Sequence, residues 1–265
     1  MSGPVLLVED IGPIRRLTLN RPEKLNALDS ALVQGLSEEL GIAGDDVEVR
    51  VIVIAGAGRS FCAGYDLSED SRPESALDGL SQSLDRLFEF FDHPRPIIAQ
   101  VHGHCLAGGC DLMMMCDLAV ASDDAVFGQP EIRFGSTVVA QVMPWLIGAR
   151  RAKELILTGH DRLDAVEAHR IGLVNRVVPR QDLEAETMHL ARELAVVDPA
   201  VMTLTKQAIN RSWEAAGFRQ ALIEGVELGA EMETARAPER QEFDRIAAEE
   251  GLKEALLWRD HRFDD

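Results

Sequence analysis

Two carboxylic acids in this chain, Asp111 and Glu131, lie twenty residues apart, and each follows a pair of backbone-shaping residues: Gly108-Gly109 before Asp111, with Cys110 between, and Gln129-Pro130 before Glu131. A pair of carboxyls can move protons to and from a substrate when one is charged and the other is neutral or shares the proton. Gly108 and Gly109 stand where a loop is predicted to turn into a helix. Backbone can there approach a ligand closely, with unpaired N–H groups pointing outward and the positive helix end favouring negative charge. Gly64-Tyr65, after another glycine turn, can offer a second N–H. Two such donors on one oxygen make an oxyanion hole, a contribution of about 3–4 kcal/mol per donor in other enzymes. The chemistry in prospect is proton transfer beside a stabilised oxyanion.

Other groupings are weaker. Gly56-Ala57-Gly58 after a strand starts like a dinucleotide fingerprint, but Phe61 holds the third glycine position, and Arg59-Ser60 supplies no phosphate-loop lysine. His102, His104, Cys105, Cys110 and Cys116 have ligand chemistry at none of the common zinc spacings, so no metal is expected and the cysteines read as small buried hydrophobes. No GxSxG elbow is present. The stripe Leu112-Met113-Met114-Met115 reads as core packing of a central helix.

The elements that would position these groups follow from periodicity. Val5–Val8 and Ile14–Leu19 read as strands around a Gly12-Pro13 turn, and 30–40 as a helix capped by Asp29 or Ser30. The β-branched run 49–55 reads as a strand buried on both faces. A helix over 75–91, a strand over 97–101, a helix over 109–116 and a strand over 118–121 continue a βαβ pattern. Helices are predicted over 150–158, 182–196, 199–213, 218–235 and 238–256, with one short strand over 173–177. The reading is an α/β core over residues 1–200 carrying the active site, and a helical C-terminal region over 201–265 in the same unit.

The 265 residues carry 27 basic and 45 acidic side chains, a formal net charge of −18. Such a surface repels phosphates, so no nucleic acid and no anionic membrane is expected as a partner, and an anionic small molecule needs a local basic patch. The apolar run 51–57 is far shorter than the roughly 20 residues of a membrane helix. The opening lacks a signal peptide's basic start, and four cysteines without a CxxC pair fit reduced thiols of the cytoplasm.

Four segments together, Asn20-Arg-Pro-Glu-Lys-Leu-Asn-Ala-Leu28, Ser60-Phe-Cys-Ala-Gly-Tyr-Asp-Leu67, Gly103-His-Cys-Leu-Ala-Gly-Gly-Cys-Asp-Leu112 and Phe127-Gly-Gln-Pro-Glu-Ile132, resemble the crotonase superfamily, the enoyl-CoA hydratase/isomerase family. The resemblance covers most of the chain. It implies a crotonase-like α/β fold, a spiral of ββα units with a helical C-terminal trimerisation region, assembled as a homotrimer or homohexamer. It implies an acyl-CoA thioester substrate, hydration of a 2-enoyl-CoA, and no cofactor, coenzyme A being part of the substrate.

The resemblance also maps roles. The oxyanion donors are the amides of Tyr65 and Gly108, and the two carboxyls that hold the water are Asp111 and Glu131. Lys24, Leu25, Ala27, Ala63, Asp66, Leu67, Gly109 and Pro130 fall on substrate- and CoA-binding positions, with Arg259 and Arg262 as further cations. Three departures stand out. Asp111 is one methylene shorter than the family's glutamate, about 1.3 Å of reach. Ser68 stands where the family has a lysine. Segment 135–145 carries β-branched and bulky residues, Val138 among them, where the family has a glycine-rich loop, and the lone Tyr65 could crowd the acyl pocket. A Δ3,Δ2-enoyl-CoA isomerase working through Glu131, and a non-catalytic acyl-CoA binder, are the alternatives.

Overall fold

The computed structural model describes residues 3–68 and 75–263. Strands β1 (Leu6–Ile11) and β2 (Ile14–Leu19) form a hairpin, and helix α1 (Ser30–Asp45) follows, capped by Asp29 on the Leu32 amide. Next come β3 (Val51–Gly56), α2 (Ala76–Phe91), β4 (Ile97–Val101), β5 (His104–Leu106), α3 (Gly108–Met115), β6 (Leu118–Ser122) and β7 (Val126–Gly128). Then follow α4 (Met143–Ile147), α5 (Ala149–Thr158), β8 (Leu163–Asp164), α6 (Ala165–Arg170), β9 (Arg176–Val178) and α7 (Leu183–Ala195). The helical end comprises α8 (Pro199–Ala215), α9 (Phe218–Ala235), α10 (Pro238–Glu249) and α11 (Leu252–His261).

The main sheet runs β1-β2-β3-β4-β6-β9, with only the β1–β2 pair antiparallel, and a smaller sheet runs β5-β7-β8. A parallel sheet is covered on both faces, and the alternation along β3 shows how. Ile52 and Ile54 enter one core with Leu32, Leu36, Leu87 and Met113 from α1, α2 and α3. Val51 and Val53 enter another against Leu183, Met188 and Leu190 of α7. A third, smaller core joins Phe134 to Phe243, Ile246 and Ala255 of the last two helices, with the Phe134 and Phe243 rings stacked 4.9 Å apart.

Two expectations need correction, and one small sheet had no counterpart in the sequence reading. The predicted helix 238–256 is two, broken at Gly251, whose φ of +100° takes a conformation that L side chains rarely adopt. The strand predicted over 173–177 forms at Arg176–Val178, because Leu173 and Val174 are instead buried in the turn after α6. The small sheet went unpredicted, since its strands are two or three residues long and carry no period.

Candidate active site

Three chain segments run side by side to make the site. Phe61 and Cys62 donate to His102 and His104 carbonyls at 2.7 and 3.0 Å, and Leu106 donates to Cys62 at 3.0 Å. Leu28 donates to Gly64 and Asp66 to Leu28 at 2.8 and 2.9 Å, so 25–28 lies along the other side of 62–66. This brings Gly64-Tyr65 against Ala107-Gly108. Gly64 has φ +102°, and a Cβ there would stand 2.7 Å from Ala107 Cβ and 3.3 Å from the Gly108 nitrogen. Ala107 itself has φ +52° and ψ −131°, a strain of order 1–3 kcal/mol, held by its donation to Gly128 at 2.9 Å. That turn starts α3, every residue of which is buried, with its first amide at the cavity. Among the described residues neither the Tyr65 nor the Gly108 amide donates to another protein group.

These elements wall a cavity of about 1130 Å³. Lys24, Leu25, Ala27, Ala63, Tyr65, Asp66, Leu67, Gly108, Pro130 and Glu131 all line it. Gly109 does not; a Cβ there would stand 2.5 Å from the Cys62 carbonyl, so its bare backbone serves close packing. Asp111 does not line the cavity either. It is fully buried one turn deeper, where Oδ1 accepts from Gln129 Nε2 at 2.8 Å and Oδ2 from the Ala140 amide at 3.4 Å. Val139 with Ser136 and Thr137, in place of the expected Val138, faces the cavity from segment 135–145. Arg259 lines it, whereas Arg262 turns away to Glu239 at 3.3 Å.

Glu131 opens a single 3-10 turn (Glu131–Phe134) fixed by Phe134 in the third core. Its Oε2 is buried without a hydrogen-bond partner in the structure. Burial, and then the charge of Asp111, push its carboxyl well above the ordinary glutamate range, with Arg259 pulling it back. Burial also lifts Asp111 to about 7 against the Gln129 and Ala140 hydrogen bonds. Burial thus favours the protonated form of both carboxyls, and the charge of Asp111 adds to that at Glu131.

The 20–28 segment owes its shape to two side chains given no role from sequence. Arg21 donates to the Ala27 carbonyl at 2.6 Å and pairs with Asp66 at 2.8 Å and Asp29 at 3.0 Å. Buried Asn26 donates to the Ala57 and Ser60 carbonyls, both at 2.8 Å, which holds Leu25 and Asn26 in left-handed conformations. Burial alone would raise Asp66, but hydrogen bonds from Ser68 and Arg21 outweigh it and hold the carboxyl at about 2. Lys24 Nζ reaches Ser68 Oγ at 3.1 Å. Arg59 and Lys253 join Lys24 as exposed cations along the cavity. Gln129, Arg21 and Asn26 all lie inside the recognised segments, so their positions were legible though their work was not. Among the described residues no group of His, Cys, Asp and Glu could hold a metal ion.

A largely parallel main sheet, a cavity lined by Tyr65 and Gly108, whose amides donate to no described protein group, and Glu131 on the same cavity wall define an α/β protein with one large site at the start of a buried helix. This chain belongs to the enoyl-CoA hydratase/isomerase family, whose sequence model matches residues 11–242. A crystal structure of an enoyl-CoA hydratase/isomerase from Xanthobacter autotrophicus Py2 is similar over 98% of this chain and 99% of that one, with a TM-score of 0.95 and 39% identity. The short-chain-enoyl-CoA hydratase of Clostridium acetobutylicum is 34% identical over 95% of this chain and 92% of its own length. The mitochondrial enoyl-CoA hydratase of Pongo abelii is 35% identical over 80% and 72%.

Proposed function

We propose that the protein hydrates a 2-enoyl-CoA thioester to the 3-hydroxyacyl-CoA. The observation that carries this reading is Glu131: a cavity-facing carboxyl held above its ordinary range, with one oxygen unpartnered, in a chain whose relatives are named for this reaction. The thioester oxygen lies between the amides of Tyr65 and Gly108, which polarise the conjugated enoyl group. Water adds through oxygen to the β carbon as one of its protons passes to the charged carboxylate. The electron pair of the double bond moves toward the α carbon, which takes its proton from the neutral carboxyl of the pair, and the thioester carbonyl re-forms. No redox step occurs, and in this reading the two amides polarise the thioester, so the scheme is written without a cofactor or metal. Lys24, Arg59 and Lys253 supply the local positive charge that coenzyme A needs against the overall −18. Leu25, Ala27, Ala63, Leu67 and Pro130 give the pantetheine and acyl parts an apolar bed, and Asp66 holds Arg21 and Ser68 in place beneath them. The free thiols fit a reducing compartment, the cytoplasm in this reading.

One observation favours a second reading. Asp111 is withdrawn from the cavity wall and already engaged by Gln129 and Ala140. A Δ3,Δ2-enoyl-CoA isomerase needs only one shuttling carboxyl, and Glu131 alone would serve. Loss of the conjugated absorbance of crotonyl-CoA, abolished by both Glu131→Gln and Asp111→Ala, is the expected result for the hydratase. No change with crotonyl-CoA, but conjugation appearing from a 3-enoyl-CoA in the Asp111→Ala protein, would put the isomerase in its place.

A further inference from the structure

The ring of Tyr65 is the feature of the site that neither reading uses. It packs against Gly108: a Cβ on Gly108 would stand 2.5 Å from Tyr65 Cε2 and 2.6 Å from Cδ2. Its hydroxyl faces Ser83 on α2, whose own Oγ donates to the Gly79 carbonyl at 3.0 Å. Behind these two residues lies a second, small cavity of about 20 Å³, lined by Leu28, Val33, Leu36, Leu87 and Leu112 from α1, α2 and α3 and their surroundings. Tyr65 and Ser83 line both cavities. At its outer end Arg86 Nη1 donates to Ser37 Oγ at 2.7 Å, tying α2 to α1.

We propose that the Tyr65 ring, braced on Gly108 and Ser83, is the end wall of the acyl cavity and restricts the enzyme to short acyl chains. The inference rests on the thioester reading above, because the amide of the same residue is what places the acyl group beside this ring. A chain growing past the reacting carbons meets the phenol. Beyond it stand leucines that would accept methylenes, each buried methylene being worth about fourfold in affinity. The ring therefore sets chain length by occupancy: the gap behind it is small, and removing the ring would join it to the main cavity.

The test compares two chain lengths in two ways: kcat/KM for 2-decenoyl-CoA over crotonyl-CoA, and Kd for decanoyl-CoA against butyryl-CoA by calorimetry. Tyr65→Ala, which keeps the amide, is expected to shift both ratios at least tenfold toward the long chain, and Tyr65→Phe, which keeps the ring, to leave them within twofold. Adding Val33→Phe to Tyr65→Ala refills the gap and should return the ratios toward wild type, which a mere loosening of the fold would not do. Ratios unmoved by Tyr65→Ala, or a gain that Val33→Phe leaves intact, overturn the proposal. Should Tyr65→Ala not fold, Tyr65→Leu is expected to move the ratios at least threefold the same way, and no movement overturns it equally. A wild type that turns over neither thioester defeats the hydratase reading alone, since the Kd ratios report the wall without turnover.

Discussion

Glu131 feels the charge of Asp111, yet the two carboxyls have different surroundings. Glu131 lines the cavity and keeps one buried oxygen without a partner; Asp111 is off the cavity wall and gripped by Gln129. Glu131→Gln is expected to cut kcat/KM for crotonyl-CoA by about 10²–10⁴, the usual worth of a positioned acid or base, with little change in melting temperature. Asp111 predicts a signature in stability. Its carboxyl ionises near 7 when folded but near the ordinary 3.8 when unfolded, so the unfolded chain loses its proton first as pH rises. Stability is lost between about pH 4 and pH 7, up to about 4 kcal/mol from this group. Denaturant unfolding of Asp111→Asn should match wild type near pH 4 and exceed it above pH 7; an equal difference at both pH values would contradict the burial argument. Both carboxylates were visible in the sequence as motif positions. That one lines the cavity and the other does not was invisible, because it depends on Gln129 and Ala140 meeting Asp111 across the fold.

At the scale of elements, the site depends on how closely α3 seats against the 60–66 segment. A Cβ at Gly109 would strike the Cys62 carbonyl and side chain, atoms of a paired backbone that cannot give way. Gly109→Ala should cost about 1–3 kcal/mol, read as a lowered midpoint in urea, and should lower activity by misplacing the Gly108 amide. The C-terminal helices form another such dependence. Leu252, Lys253, Leu256 and Arg259 of α11 line the cavity, and the pair is held on the Glu131 turn through Phe134 and Phe243. Phe243→Ala removes a stacked ring from a four-residue core, a loss of about 3–5 kcal/mol for a well-packed site. Faster amide exchange confined to α10 and α11, together with a raised KM, is the expected result. Periodicity revealed α10 and α11 as helical but not their break at Gly251, and nothing in their pattern told which face meets Phe134.

For the whole molecule, charge and exposed apolar surface set the expectations. Among the described residues no helix is long and apolar enough to cross a membrane. α8 and α9 expose Val201, Leu204, Ile209 and Leu228, each more than half accessible. We infer that they meet other copies of the chain. Light scattering should give a trimer or a multiple of it, and Leu204→Asp with Leu228→Asp should release smaller species; a monomer in wild type would end that inference. The sequence by itself determined the α/β alternation, the buried parallel strands, the acidic surface and the four segments that mark the family, because periodicity, composition and short motifs are local properties. Only the folded chain brings Gly64-Tyr65 against Ala107-Gly108, presses Gly109 onto Cys62, leaves Asp111 off the cavity wall and makes Tyr65 line two cavities. Each of those is a distance between residues far apart in the chain, fixed by the pairing of segments 25–28, 62–66 and 102–107 and by what a side chain's volume leaves room for.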